Sequence, residues 1–317
     1  MLIFLLYRHN LKIPTIKCRR GETVNLYYCK MPEGNIGDDI NEYIWPHYIK
    51  DLDDDTDDLL VGIGSLLNHH LPKAKKYTVI SSGVGYGKLP KITDSWKFLA
   101  VRGEYSKEAF ELSDEVVLLD GAYLLKDCYE RPNVKITHKF GYIPHVASLN
   151  YGDWEKVCKL AGIHFVDPRL SLGEFLESLC SCKKVLTEAM HGAIIADCYG
   201  VPWKPVKAYH HINTKKWDDW LSAFGKTARF SNVTPVWYDL EIPRNRRIKN
   251  TIKKVIFSIY PKFNLTPPIY PPSEDFVYQD VAGELRRLTE GEFFLNDESQ
   301  IDEKILLLKK KINDHFG

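Results

Sequence analysis

Short apolar runs alternate with segments of helical periodicity through most of the first 235 residues of this 317-residue chain. Each run is rich in Val, Ile and Leu and has the length of a buried strand. The alternation is typical of βαβ units, so we predict an α/β fold with parallel sheets. The predicted strands cover residues 23–29, 59–63, 77–81, 97–101, 116–119, 135–142, 164–166, 184–187 and 203–206.

The chain is longer than the roughly 100 to 200 residues of one ordinary domain core, which favours two lobes. We predict a first Rossmann-like lobe at residues 1–142, a second at 143–235 and a helical C-terminal extension at 236–317. In the extension, prolines separate helices that we place near residues 273–289 and 300–313.

Several function classes are disfavoured by composition. No apolar stretch approaches the roughly 20 residues of a membrane span, and residues 2–7, which we predict as a strand, are shorter than a signal-peptide core. Seven scattered cysteines form no paired metal motif, which favours reduced thiols in a cytoplasm. A net charge of +1 gives no drive towards nucleic acid. No glycine fingerprint of a dehydrogenase is found.

Glycines and polar residues follow the strands of the first lobe, where open α/β sheets bind ligands. Asp38 lies in the sequence GNIGDD at residues 34–39, and it is either a proton donor or acceptor or a plain helix cap. Glycine-rich turns at 62–65 and 81–87 are either ligand loops or tight connections. Arg102 ends a strand, where it could hold a carboxylate or phosphate or form a structural salt bridge.

In the second lobe, the sequence EAMHGAIIAD at residues 188–197 follows a strand and opens an apolar helix. His191 and Gly192 are then at a helix start, where N–H groups and the helix dipole favour phosphate. Glu188 is near enough to orient His191 or to transfer a proton. His145 and Arg169 follow two other strands of this lobe.

Taken in chain order, these segments resemble the polysaccharide pyruvyltransferase family, especially its succinoglycan ketalase-like branch. The resemblance covers about residues 25–225 and rests on GNIGDD at 34–39, GIGS at 62–65, SGVGYG at 82–87, VRG at 101–103, PH at 144–145, EAMHGAIIAD at 188–197 and PW at 202–203. It implies two Rossmann-like lobes in a glycosyltransferase-B-like arrangement, with phosphoenolpyruvate between them and a glycan or lipid-linked hexose as acceptor. The family's donor-binding Arg and His positions correspond to Arg102 and His191. The chain departs from its relatives at Gly121, where many have Pro.

Phosphoenolpyruvate carries a carboxylate and a phosphate, which need several cationic and N–H donors. Ketal formation also requires protonation of the enol methylene and deprotonation of the sugar hydroxyls, and the sequence does not separate acid from base. The predicted catalytic residues are His191, Asp38 and Glu188; the predicted donor-binding residues are Arg102, His191, Gly192, His145, Arg169, Ser82 and Gly83; the predicted acceptor-binding residues are Asn35, Asp38, Gly85 and Tyr86.

We expect no cofactor, because phosphoenolpyruvate is itself a substrate, and no metal, because the sequence has no metal motif. We also expect a cytoplasmic protein. Two other functions stay open: a sugar-nucleotide-dependent glycosyltransferase of the same architecture, and a non-catalytic glycan- or nucleotide-binding module. We also expect Arg102→Ala and His191→Ala to abolish most turnover while leaving the fold nearly intact.

Residues 244–260 combine an apolar stripe with six basic side chains and no acidic neighbour. Two interpretations of this segment stay open. It is either a basic amphipathic helix that docks peripherally on the anionic inner face of the cell membrane, or a helix packed on the protein core.

Overall fold

The computed structural model describes residues 24–49, 52, 56–238, 252–253 and 270–317. The strand predicted at residues 2–7 and nearly all of the basic segment at 244–260 lie outside this part of the chain. Within it, no helix is long and apolar enough to cross a membrane.

In the part of the chain that the structure describes, ten strands form two parallel five-stranded sheets, which confirms the predicted α/β class. The strands of the first sheet are β1 (Asn25–Tyr27), β2 (Asp58–Val61), β3 (Lys76–Ser82), β4 (Trp96–Val101) and β5 (Val117–Leu118). Those of the second sheet are β6 (Gly141–Ile143), β7 (His164–Phe165), β8 (Val185–Thr187), β9 (Trp203–Lys207) and β10 (Ser231–Asn232).

The strand orders differ in a way that locates a crevice. The first sheet runs β1-β2-β3-β4-β5, whereas the second runs β10-β9-β8-β6-β7. The strand order therefore reverses between β6 and β8, and ligands of open parallel sheets bind beside the carboxyl ends of strands at such a switch point. His145 follows β6 and Glu188 follows β8.

The helices between and after the strands carry the apolar faces that the periodicity indicated. They are α1 (Ile36–Asp39), α2 (Asn41–Tyr48), α3 (Glu104–Ala109), α4 (Leu125–Cys128), α5 (Trp154–Ala161), α6 (Leu172–Cys180), α7 (Met190–Cys198), α8 (Thr214–Ser222), α9 (Asp275–Leu288) and α10 (Glu298–Phe316). Short 3-10 turns lie at Gly121–Leu124 and Val146–Asn150.

The strand predicted at residues 135–142 is wrong for most of its length. Only its end belongs to β6, because the preceding backbone bonds to the loop between α6 and β8 instead of to a sheet. The N–H groups of Thr137 and His138 both donate to the carbonyl of Ser181, each over 3.0 Å. The strand β10, by contrast, has only two residues and no apolar run to announce it.

The two C-terminal helices pack on different lobes. Helix α9 places Val281 and Leu285 in the core around α5, beside the second sheet. Helix α10 packs Ile305 and Leu308 against the end of the first sheet. The C-terminal part of the chain therefore closes both lobes, while the exact domain limits given above stay a prediction.

One buried carboxylate joins the lobes to this C-terminal part. Asp197, at the end of α7, accepts from the Tyr123 hydroxyl (2.6 Å), the Trp203 indole (3.0 Å) and the backbone N–H of Asn296 (2.7 Å). The indole of Trp220 on α8 in turn donates to the Tyr123 hydroxyl over 3.2 Å. Since buried polar groups are costly without partners, this network fixes how the elements meet.

Candidate active site

His191 lies where the two lobes meet. It belongs to the first turn of α7 in the second lobe, yet its imidazole packs against α1 of the first lobe. A side chain on Gly37 would overlap the ring, so the glycine permits this close approach. The side chain of His191 is only 13% exposed. The residue with the most specific sequence signal thus lies in a site to which both lobes contribute.

Asp120 is a site residue that sequence reasoning did not assign. It follows β5 and is fully buried, with its Oδ2 atom 3.6 Å from Nε2 of His191. Neither of these two atoms has a hydrogen-bond partner among the described residues, although Oδ1 accepts from the N–H of Ala122 over 3.0 Å. The pair is just beyond direct hydrogen-bond distance, so a small shift would join the two side chains.

Asp38 lies on α1, close enough to His191 for the two charges to interact. The amide of Asn35 donates to its carboxylate over 2.5 Å. Burial raises the pKa of Asp38 to about 6, against the lowering effects of the charges of His191 and Lys216. A carboxyl group with that pKa can be either protonated or ionised near neutral pH, as general acid–base chemistry requires.

Glu188 is fully buried and held by the ends of two strands. It accepts from the backbone N–H groups of Ala208 (2.8 Å) and His145 (3.3 Å). Burial raises the pKa of Glu188, and these hydrogen bonds oppose the rise. Its contacts make Glu188 an anchor of the His145 backbone; whether it also transfers a proton stays a prediction.

His145 enters the site as a neutral ring. Burial, followed by the nearby His211, Lys216 and His191, lowers its pKa well below the usual range. Its Nδ1 accepts from the N–H of Ala147 over 3.1 Å, so the ring proton is on Nε2, which can donate to a ligand.

His211, which sequence reasoning missed, packs edge-to-face on His145. The ring centroids of His145 and His211 are 5.2 Å apart, and burial lowers the pKa of His211 to about 4. Two neutral imidazoles therefore line this part of the site.

Lys216 is the cation that the sequence did not indicate. It lies on α8, and burial raises the pKa values of Asp38 and Cys29 while the positive charge of Lys216 opposes that rise. The same charge adds to the lowering of the pKa of His145 that burial causes. Its ammonium donates to the Tyr86 hydroxyl over 3.0 Å and lies 4.5 Å from the centre of that ring. A Cβ on Gly85 would come within 2.9 Å of the lysine stem, so this glycine makes room for Lys216.

Arg102 has the structural contacts that the sequence left as an alternative. Its guanidinium is completely buried and pairs with Asp219 on α8, with Nε to Oδ2 at 2.9 Å and Nη2 to Oδ2 at 2.8 Å. It also donates to the Ser65 hydroxyl (2.9 Å) and to the carbonyl of Val84. The role of Arg102 in donor binding stays a prediction, while its position identifies it as a brace between β4 and α8.

The remaining first-lobe candidates lie around the Arg102–Asp219 ion pair and the start of α8. The hydroxyl of Ser82 donates to the carbonyl of Gly64 over 3.2 Å, and a side chain on Gly83 would overlap the Arg102 guanidinium. The carbonyl of Gly85 accepts from the amide of Asn213 over 2.7 Å, which ties this loop to the start of α8. These residues therefore connect the lobes behind the His191 site.

Gly192 and Arg169, two second-lobe candidates, have structural contacts of their own. A Cβ on Gly192 would come within 3.0 Å of Ile143 and Thr187, so this glycine allows α7 to pack closely on β6 and β8. Arg169 binds Asp167 through two guanidinium nitrogens at 2.6 to 3.2 Å and lies beyond α1, on the opposite flank from His191.

Fold and site together define an α/β protein with two parallel sheets that contribute histidine, carboxylate and lysine side chains to one inter-lobe site. The model of the family described as polysaccharide pyruvyl transferase matches residues 4–211. The chain therefore belongs to the polysaccharide pyruvyl transferase family, which confirms the resemblance found in its motifs.

One curated relative is the succinoglycan biosynthesis protein ExoV of Rhizobium meliloti (strain 1021). It is 35% identical over 209 residues, a match that covers 64% of this chain and 66% of the relative, just under two thirds of its length. No solved structure matches the chain.

The buried ion pair yields the first prediction. Arg102→Ala leaves the Asp219 carboxylate buried without its cation, which costs about 3 to 5 kcal/mol in proteins. We expect urea unfolding to show a free energy of unfolding lowered by about that amount, a larger loss than the sequence alone led us to expect. Arg287→Ala, at an exposed position of α9, is the control and should change stability by less than about 0.5 kcal/mol. An Arg102→Ala variant as stable as the wild type would contradict the role of the ion pair.

Asp38 yields a pH-dependent prediction. Because its pKa is raised to about 6 from 3.8, the folded protein binds this proton more readily than the unfolded chain does. The cost of the buried charge is therefore present above pH 6 and disappears as the pH falls towards 4. Asp38→Asn should stabilise the protein by about 1 to 3 kcal/mol near pH 7.5 and by about half as much near pH 5. The free energies of unfolding of wild type and variant are measured with urea at both pH values. If the variant differs from the wild type by the same amount at both, the pKa of Asp38 is not raised.

Proposed function

We propose that the protein transfers the enolpyruvyl-derived group of phosphoenolpyruvate to a hexose of a surface polysaccharide or its lipid-linked precursor, forming a pyruvate ketal. The observation that carries the proposal is the meeting of His191, Asp38 and Lys216 between two parallel sheets, in a chain of the polysaccharide pyruvyl transferase family. The same observation supports a glycosyltransferase-B-like arrangement of the lobes, with the donor in the cleft.

The donor carries two anionic groups, a carboxylate and a phosphate, and the site offers partners that can bind them. The ammonium of Lys216 has a neutral hydroxyl as its hydrogen-bond partner and acts on several site groups, so it is suited to a carboxylate or phosphate. The N–H groups at the start of α7 and the Nε2 proton of His145 add donors without further charge. In this account Lys216 has the electrostatic role that the sequence suggested for Arg102.

The proposed reaction balances without a redox step. The enol methylene carbon takes up one proton, which develops positive charge at C2. The oxygen of one sugar hydroxyl bonds to C2 and the C2–O bond to phosphate breaks. The second hydroxyl then closes the ketal. The two protons of the hydroxyls are balanced by the one added to the methylene and by one carried away on inorganic phosphate.

The acid and the base have different surroundings. Asp38, with its pKa raised to about 6, can carry the proton for the methylene carbon. His191 can take the proton of the attacking hydroxyl, because the carboxylate of Asp120 at 3.6 Å would stabilise the imidazolium that forms. The arrangement follows the general rule that a base is itself oriented by a third group.

We also propose an acceptor and a cellular location. We take the acceptor hexose to be galactose, on a growing glycan or a lipid carrier, and the protein to be cytoplasmic with peripheral contact at the anionic inner face of the membrane. Phosphoenolpyruvate is a substrate, and the proposal involves no cofactor and no nucleic acid.

The function is tested by supplying alternative donors. Incubation with phosphoenolpyruvate and a galactoside should release inorganic phosphate only when both are present, and UDP-sugars should release no UDP. His191→Ala should lower the rate by about a hundredfold or more. Release of UDP from a UDP-sugar without phosphate from phosphoenolpyruvate would instead identify a glycosyltransferase, and no turnover with either donor would favour a binding module.

Lys216 supplies a sharper test of donor binding. Lys216→Met keeps the apolar stem and removes the charge, so the KM for phosphoenolpyruvate should rise about 10- to 100-fold, the value of a charged hydrogen bond of about 1.5 to 3 kcal/mol. Its neighbour Lys215 is exposed on the same helix, and Lys215→Met serves as the matched control with an unchanged KM. Similar KM values for all three proteins would exclude Lys216 from the donor site.

A further inference from the structure

A polar pocket lies between the lobes on the flank of α1 opposite His191. Its volume is about 260 Å³. One wall is formed by α1 and α2 of the first lobe, the other by the loop after β7 and the start of α6. The walls are joined where the N–H of Ile36 donates to the carbonyl of Pro168 over 2.8 Å. The volume is just below the roughly 300 to 1,000 Å³ of sites for drug-sized ligands, which suits a single sugar ring.

The charged side chains of this pocket are already paired within the protein. Lys30 forms an ion pair with Glu42, and Arg169 forms its two-nitrogen contact with Asp167. Asp39 accepts from the N–H of Asn35 over 2.8 Å. With its positive and negative groups balanced, the pocket does not favour an anion such as phosphoenolpyruvate. It presents both donors and acceptors, which a ligand rich in neutral hydroxyl groups can use together.

An aromatic ring completes this chemistry. Tyr43 lines the pocket and is 44% exposed, although tyrosine carries a large apolar face. The carbon-bound hydrogens on one face of a pyranose can pack on such a ring, while the hydroxyls at its edge reach the charged groups around it. An exposed aromatic face beside paired carboxylates and cations therefore fits a sugar better than it fits a lipid chain or a free phosphate.

The pocket shares a wall with the proposed reaction centre. The charge of His191 acts on Asp38, while the next residue, Asp39, lines the pocket. Asn35 connects the two, since its side chain donates to Asp38 and its backbone N–H to Asp39. Only the width of helix α1, about 10 Å with its side chains, therefore separates a glycan bound in the pocket from the proposed reaction centre.

We propose that this pocket binds a sugar ring of the acceptor glycan, with Tyr43 as its stacking face and Glu42 and Arg169 as hydrogen-bonding groups. The inference rests on the proposed function for the identity of the acceptor, and it assigns Arg169 to the glycan instead of the donor.

The test measures hexoside binding without any donor. Methyl glycosides of galactose, glucose and mannose are titrated by saturation-transfer NMR against the full chain. At least one should bind the wild type, and Tyr43→Ala should weaken that binding about tenfold, while Tyr43→Phe retains it. Tyr105 is also 44% exposed, and Tyr105→Ala is the matched control with unchanged binding.

The outcomes separate this inference from the proposed function. The KM for phosphoenolpyruvate should be unchanged in Tyr43→Ala if the pocket serves the acceptor alone. Absence of binding by every hexoside, equal binding by wild type and Tyr43→Ala, or an equal loss in Tyr105→Ala would overturn the pocket assignment. Phosphate release from phosphoenolpyruvate is measured independently, so its failure would count against the proposed function and not against the pocket.

Discussion

The buried ion pair between Arg102 and Asp219 is the interaction on which the site geometry depends. Arg102 ends a strand of the first sheet, whereas Asp219 belongs to α8, which follows the second sheet in the chain. Asp219 also accepts from the backbone N–H (2.9 Å) and the hydroxyl (2.6 Å) of Ser106. A buried charge pair is stable only when its remaining hydrogen-bonding groups are satisfied, and here nearly all of them are. The pair therefore holds α8 in one position against the first lobe.

That position determines where Lys216 lies. Lys216 precedes Asp219 by three residues, about one helical turn, so fixing the carboxylate also fixes the lysine on the same side of α8. From there its ammonium reaches Tyr86 and the field of Asp38 and His145. The salt bridge thus fixes the position of Lys216, the cation that we propose to bind the donor.

The sequence predicted the sheets well because buried parallel strands leave continuous apolar runs. It also located His191, because a histidine and a glycine at a strand-to-helix junction are uncommon in a purely structural helix start. It could not indicate Lys216, which is one of two adjacent lysines at the start of an ordinary amphipathic helix. Nor could it pair Arg102 with a carboxylate 117 residues away, since charge at a strand end does not reveal its partner. Nor could it bring Asp120 to His191, because that approach depends on the packing of α7 against the first lobe.

The central claim is that carbon from phosphoenolpyruvate becomes the ketal carbon of a glycan. The most direct measurement is NMR of the glycan product after incubation with phosphoenolpyruvate labelled with carbon-13 at C2. The account predicts that the label appears at a carbon bonded to two sugar oxygens, with one inorganic phosphate released for each ketal formed. Unlabelled glycan alongside intact phosphoenolpyruvate, or label released as free pyruvate with no ketal, would contradict it.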